Sequence, residues 1–296
     1  MLNYYQKYKS CDLCARACGV DRTNEERGFC RMLDIPVIAR AALHHWEEPI
    51  ISGTNGSGTV FFVGCSLGCV YCQNKLISRG NGGRAVSADD LAREYLRLES
   101  LGAHNINLVT PTHYVPSIID SVALARKLGL AIPIVYNTGS YDTVETIRAL
   151  SGTVDIFLPD FKYYRADKAK EYSRAENYRE VAMAAIDEMV NIVGDPVVED
   201  GIMKSGVIVR LLLLPGMVAD AKLNLKYLYN KYGDRIYISL MSQYTPSDDL
   251  IRPLDRRVTQ SEYNELVDYA TRLGVTNAFI QDRNSAEDAY IPDFDV

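Results

Sequence analysis

Nowhere does the chain carry a run of Lys and Arg, and its 32 basic side chains are outnumbered by 38 acidic ones, giving a net charge of -6 and a pI near 5.4. Nucleic-acid binders concentrate basic residues on one face, so no phosphate-backbone partner is expected. Long apolar runs are missing too. The longest, residues 207–215 and 59–64, are of strand length, so neither a membrane span nor the apolar stretch of a signal peptide is expected, and the chain reads as cytoplasmic. The seven cysteines are an odd number, which a complete disulfide framework cannot use. They fall into a group of four (Cys11, Cys14, Cys18, Cys30) and a group of three (Cys65, Cys69, Cys72), a division that suits metal ligation in a reducing compartment. What remains is ordinary for a globular protein: 296 residues, 47% apolar and 24% charged, enough for one large α/β domain or two smaller ones.

The three-cysteine group follows a buried-strand pattern, residues 59–63, and presents thiols at the spacing C-x3-C-x2-C, with Tyr71 before the last and Gln73 and Asn74 after it. Three thiolates on one loop hold three corners of a cubane iron-sulfur cluster, whereas four is the usual number. The fourth iron then keeps open positions, by the logic that separates a catalytic metal site from a closed structural one. A zinc knuckle competes poorly, since zinc sites take four ligands and no suitably spaced His follows.

This motif, with its aromatic residue ahead of the last cysteine, resembles the signature of the radical S-adenosylmethionine (SAM) enzymes. The resemblance implies a 4Fe-4S cluster on Cys65, Cys69 and Cys72 whose open iron chelates SAM, and reductive cleavage of SAM to a 5'-deoxyadenosyl radical. The N-terminal segment, C-x2-C-x3-C followed by Gly28-Phe29-Cys30-Arg31, resembles the lead-in of one branch of the pyruvate formate-lyase activating-enzyme-like family. Its four thiols could close around zinc or supply the corners of a second 4Fe-4S cluster, and the spacing leaves both open.

Residues 52–58 form a Gly-rich loop that lacks the Gly-Lys-Ser/Thr ending of a phosphate cradle and precedes its strand, so it reads as a turn. His44 and His45, just before it, could contact a cluster or substrate, but a packed or solvated role is the better reading. From residue 59 onward, apolar strand-length runs (59–63, 105–109, 132–136, 154–158, 207–213, 236–240) alternate with helical patterns (88–101, 115–128, 141–150, 166–193, 219–232, 259–273). Ser87 and Gly102 suit the two caps of the first helix. Near-continuous apolar strands joined by helices mean a parallel sheet covered on both faces. The expected fold is α/β, a (β/α)6 partial TIM-like barrel with a cysteine-rich N-terminal extension. Residues 1–45 would form the metal-binding segment and 46–296 the barrel, with a further short strand at 278–280 and an acidic closing tail at 282–296. Such barrels place their chemistry at the carboxyl ends of the strands, where the Cys65–Cys72 loop lies.

Several strand ends extend the resemblance. Where many radical SAM enzymes carry Gly-Gly-Glu, this chain has Thr110-Pro111-Thr112-His113, whose hydroxyls and carbonyls would have to accept from the SAM ammonium; His113 is the histidine expected to face the substrate. Asn137-Thr138-Gly139 resembles the activating enzymes' Asp-Thr-Asn-Gly, and Asp160-Phe161-Lys162 their Asp-x-Lys pair, implying contacts to the ribose diol and the SAM carboxylate. Arg210 sits in a strand that, like theirs, ends Leu-Pro-Gly, but Leu211 stands where they carry His. Tyr71 and Asn74 complete the expected cofactor contacts, and Met241, Gln243 and Tyr244 are expected to close the barrel end. The resemblance implies hydrogen abstraction, with activation of a glycyl radical enzyme as one outcome and modification of a peptide or small molecule as another. A flavodoxin or ferredoxin would be the electron donor. A rival from a different class is a non-catalytic electron-transfer protein, which leaves the missing fourth thiolate unexplained.

Overall fold

The computed structural model describes residues 4–247 and 249–281. The chain opens with a helical turn α1 (Gln6–Lys9), then β1 (Val37–His44), α2 (Pro49–Ser52), β2 (Ser57–Phe62), α3 (Lys75–Ser78) and β3 (Arg84–Ala85). Alternation follows: α4 (Ala88–Ser100), β4 (Ile106–Val109), α5 (Val115–Lys127), β5 (Ile134–Thr138), α6 (Val144–Ala149) and β6 (Ile156–Pro159). Two helices, α7 (Ala166–Ser173) and α8 (Tyr178–Val193), precede β7 (Val197–Glu199) and β8 (Ile202–Leu212). Last come α9 (Val218–Tyr232), β9 (Tyr237–Met241), α10 (Gln260–Leu273) and β10 (Ala278–Ile280).

The strands form one sheet in the order β10-β9-β8-β6-β5-β4-β2-β1-β3, with β7 paired to β8. Every neighbouring pair from β2 to β10 along that order is parallel, while β1, β3 and β7 join antiparallel. The expected parallel α/β architecture is therefore present, and the short strand at 278–280 adds to its edge. All residues of β2, β5 and β6 are buried, as strands covered on both faces must be. Ser87 caps α4 in a reciprocal box with Asp90, and Thr259 caps α10 with Glu262.

The sheet curls. Glu47 reaches both Asn107 on β4 and Arg210 on β8, strands with two others between them. Laid flat they would stand about 14 Å apart at a spacing of about 4.8 Å per strand, too far for one side chain. Curling brings the carboxyl ends of β2, β4, β5, β6 and β8 around a common opening.

Three local expectations change. β1 is a strand within residues read as lead-in; its small and half-buried residues give a weak alternation that pairing with β2 overrides. The helical stretch 166–193 is broken at Arg174, whose φ of +51° ends α7 and starts a turn into α8. The excursion 194–206 is a hairpin of β7 with an eleven-residue β8. The acidic tail 282–296 lies outside the described residues. Among the described residues no helix is long and apolar enough to cross a membrane.

Candidate metal and cofactor site

The loop after β2 begins at Gly64, where φ is +91° and an added Cβ would come within 3.0 Å of Met32, the Cys30 carbonyl and His113. Only glycine fits that close approach. Val70 donates its N–H to the Tyr172 carbonyl at 2.9 Å and Leu67 its N–H to the Cys65 sulfur at 3.4 Å, so the loop is held from both sides. Burial, followed by the neighbouring Cys69 and Cys72 thiols, pushes the Cys65 thiol up to about 12; burial and Cys69 raise Cys72 as well. Thiols that disfavour one another's ionisation are close in space, and a bound metal is what would deprotonate them.

These three cysteines line a cavity of about 230 Å3. The same cavity is lined by Tyr71 and Asn74 from the loop, Thr110 and Thr112 beyond β4, Asn137 at the end of β5, Asp160 and Lys162 beyond β6, and Arg210 on β8. The structure thus brings together every residue expected to meet the cofactor, along with Met241, Gln243 and Tyr244. Asn74 Oδ1 is buried without a hydrogen-bond partner. A cavity lined by three thiols, by charged groups and by an unsatisfied amide oxygen suits a cluster and a zwitterionic cofactor. Among the described residues, no three His, Cys, Asp or Glu side chains converge on a point where a single metal ion would sit.

The charged groups pair with each other. Lys162 Nζ lies 2.5 Å from Asp160 Oδ2, and Arg210 Nε donates to Asp160 Oδ1 at 2.9 Å. Arg210 also donates to the Asn137 amide oxygen and reaches Glu47 at 3.3 Å. Burial favours the neutral form of Asp160, but Arg210 and Lys162 outweigh it and hold its carboxyl below the usual range. Lys162 is held above its ordinary value because Asp160, with help from Cys69, overcomes burial. Burial raises Glu47 despite Arg210.

Behind Cys69 lies a chain of hydroxyls. Ser173 donates to the Cys69 sulfur at 2.9 Å, and the Tyr163 hydroxyl lies 2.6 Å from the Ser173 hydroxyl and 2.7 Å from that of Tyr71. Arg16 clasps the same region from outside: its guanidinium donates to the carbonyls of Ser66 and Ser173, each at 2.8 Å, and of Leu67 and Arg174.

The expectations for two histidines change. His113 is buried, its Nε2 bonded to the Val63 carbonyl at 2.7 Å, and it does not line the cavity. Thr110, at φ +57°, turns the chain so that Thr112 faces the opening and His113 folds back against Gly64. His44 instead lines the cavity, edge-on to Phe61. Leu211 is buried away from it. Glu47, Ser173, Tyr163 and Arg16 carry no local sequence signal that marks them as part of the site. The N-terminal thiols Cys11, Cys14 and Cys30 are buried and Cys18 is exposed. Burial first, then Cys30, Cys11 and Cys18, drives the Cys14 thiol up, so these four also share one neighbourhood.

A family model described as the Radical SAM superfamily matches residues 59–217, more than half of the chain. An uncharacterised protein of Methanocaldococcus jannaschii, MJ0674, is 27% identical over 278 residues, spanning 90% of this chain and 76% of that protein. The crystal structure of HydG, a maturase of the FeFe hydrogenase, superposes with a TM-score of 0.52 at 15% identity over 75% of this chain. That likeness bears on the fold alone, and the chain spans about half (51%) of the HydG chain's length.

Proposed function

From the premise that this chain belongs to the radical SAM superfamily, we propose that it is an enzyme that uses SAM for hydrogen abstraction, with Cys65, Cys69 and Cys72 as the ligands of its 4Fe-4S cluster. When bound, the reduced cluster supplies the electron that splits the SAM sulfonium and so provides a 5'-deoxyadenosyl radical. The rest falls to this chain's own side chains. Lys162 pairs with the SAM carboxylate, Asp160 accepts from the ribose diol, and Thr110 and Thr112 offer uncharged acceptors to the ammonium. Tyr71 and Asn74 border the same space. Arg210, flanked by Asp160, Asn137 and Glu47, positions the carboxylate and does not itself need to touch the cofactor.

The observation that carries this reading is that three thiols and eight further residues, drawn from five strand ends, line one cavity. The Asp160-x-Lys162 pair and the Leu214-Pro215-Gly216 ending support an activating-enzyme-like target, the Cα hydrogen of a glycine on a partner protein or peptide. A flavodoxin or ferredoxin is the proposed electron donor, and the N-terminal thiols form a second metal centre, a 4Fe-4S cluster or zinc.

Anaerobic reduction of the purified chain followed by SAM should yield 5'-deoxyadenosine. No product from an intact, reduced cluster would leave a non-catalytic electron-transfer protein as the better account. Addition of a glycyl radical enzyme that co-purifies with the chain should then produce a glycyl radical signal in electron paramagnetic resonance; its absence would redirect the search to peptides.

A further inference from the structure

We infer that the cavity contains a substrate subsite for an uncharged, amide-bearing group, read by the polar side chains of His44, Gln243 and Thr245 with apolar surface from Trp46, Phe61 and Met241. The inference rests on the cavity being the site of radical formation and names the class of group that enters it.

None of these six residues belongs to the cofactor set, and they come from the two flanks of the sheet around it. The residues proposed to hold the cluster and SAM lie on or beyond β2, β4, β5, β6 and β8, which are contiguous in the sheet. The strand next to β2 is β1, and the strand next to β8 is β9. His44 ends β1 and Trp46 follows it, while Phe61 of β2 stands edge-on to His44 with ring centroids 6.2 Å apart. Met241 ends β9, with Gln243 and Thr245 in the loop after it. All six line the same cavity, so the curl of the sheet joins its two flanks in one space.

Charge decides the class of the group. The acidic and basic side chains that line the cavity, His44 aside, are Glu47, Asp160, Lys162 and Arg210, and they form one connected set: Arg210 bonds Glu47 and Asp160, and Asp160 bonds Lys162. Two carboxylates meet two cations, so the set is neutral. With SAM bound, Lys162 and Asp160 are engaged by its carboxylate and ribose, and Glu47 and Arg210 keep each other. Burial, followed by the charges of His45 and Arg40, brings the His44 imidazole down to about 4, so it too is uncharged near neutral pH. A charged substrate group would give up water here and find no free counter-charge, which is costly.

The remaining polar groups are of one kind. Among the described residues, the Gln243 amide, the Thr245 hydroxyl and both His44 ring nitrogens have no hydrogen-bond partner. Each of these side chains offers a donor and an acceptor together. A peptide amide presents the same two, whereas a carboxylate only accepts and an ammonium only donates. A polyol would leave several hydroxyls unpaired against Trp46, Phe61 and Met241. Specificity of this sort works by leaving the wrong group unsatisfied as well as by pairing the right one.

The test uses the full, cluster-loaded chain with SAM bound and capped peptides Gly-Gly-X-Gly-Gly, acetylated and amidated, with X as Gly, Asp or Lys. Calorimetry should give the Gly peptide a dissociation constant at least about tenfold below those of the Asp and Lys peptides. Emission from Trp46, the one tryptophan in the chain, should change as the Gly peptide binds, and an unmoved emission would take Trp46 out of the subsite. Equal affinities, tighter binding of a charged peptide or of glucose, or no binding of any probe at millimolar concentration would overturn the inference. Gln243→Glu should reverse the order in favour of the Lys peptide; an unchanged order in a variant that circular dichroism shows to be folded would remove Gln243 from the subsite. If that variant does not fold, the peptide series on the unaltered chain still decides the class. Failure of the cofactor reading would look different: an unaltered chain that neither binds SAM nor forms 5'-deoxyadenosine.

Discussion

Ser173 and Cys69, 104 residues apart in sequence, are joined by a hydrogen bond of 2.9 Å from hydroxyl to sulfur. Ser173 is the last residue of α7, delivered there by the left-handed turn at Arg174 and by the grip of Arg16 on its carbonyl. Hydrogen bonds to cluster sulfurs stabilise the reduced, more negative state. Ser173→Ala should therefore retain iron but shift the cluster potential to more negative values, and cost about 1 kcal/mol of stability. Ser173→Thr should restore the potential. A potential that does not move in a redox titration would show that the contact only packs the loop.

Asp160 stands between two cations, Lys162 and Arg210, with side chains no more than 17% exposed. Removing one partner of a buried pair leaves the others uncompensated, at roughly 3–5 kcal/mol. Asp160→Asn should lose stability on that scale in urea denaturation and lose SAM binding in calorimetry. Adding Arg210→Met should cost less than the sum of the two single changes, because the charge orphaned by the first is gone. Additive losses would mean that the pair is not coupled.

Thr110 is a β-branched residue at φ +57°, a conformation that suits glycine. Its N–H still donates to the Asn137 carbonyl at 2.8 Å, so the backbone is held there by the strand ladder. Thr110→Gly should raise stability by about 1 kcal/mol, seen as a higher Tm, while weakening SAM binding through the lost hydroxyl. A lower Tm would show that the side chain contributes more than the backbone strain costs.

Burial, then the charge of Arg22, brings His113 from 6.5 to about 3, against the bond to Val63 that favours its protonated form. Between those values the unfolded chain binds the proton and the folded chain does not. Stability should thus be complete above about pH 6.5 and fall as pH drops toward 3, by about 2 kcal/mol between pH 7 and 5. His113→Gln should remove that slope. Equal slopes in the two proteins, measured by denaturant titration, would place the acid sensitivity elsewhere.

The readable parts of this protein are those written over a few neighbouring residues. The C-x3-C-x2-C loop, the Asp160–Lys162 pair two positions apart, the apolar strands and the Ser87 cap each depend on local spacing, so the parallel α/β architecture and the thiol site are legible in the sequence. β1, the split of α7 from α8 and the reversed roles of His44 and His113 could not, because edge pairing and single left-handed residues at Thr110 and Arg174 decided them.

Sequence alone therefore determined which groups are available: seven thiols, a carboxylate beside an ammonium, and an arginine amid apolar residues that had to find a partner. Tertiary structure decided who the partners are. Glu47 meets Arg210 across 163 positions and Arg16 reaches Ser173 across 157, contacts that exist only because the sheet curls and α7 stops where it does. Local propensity carries no information at such separations; the closure of the core does.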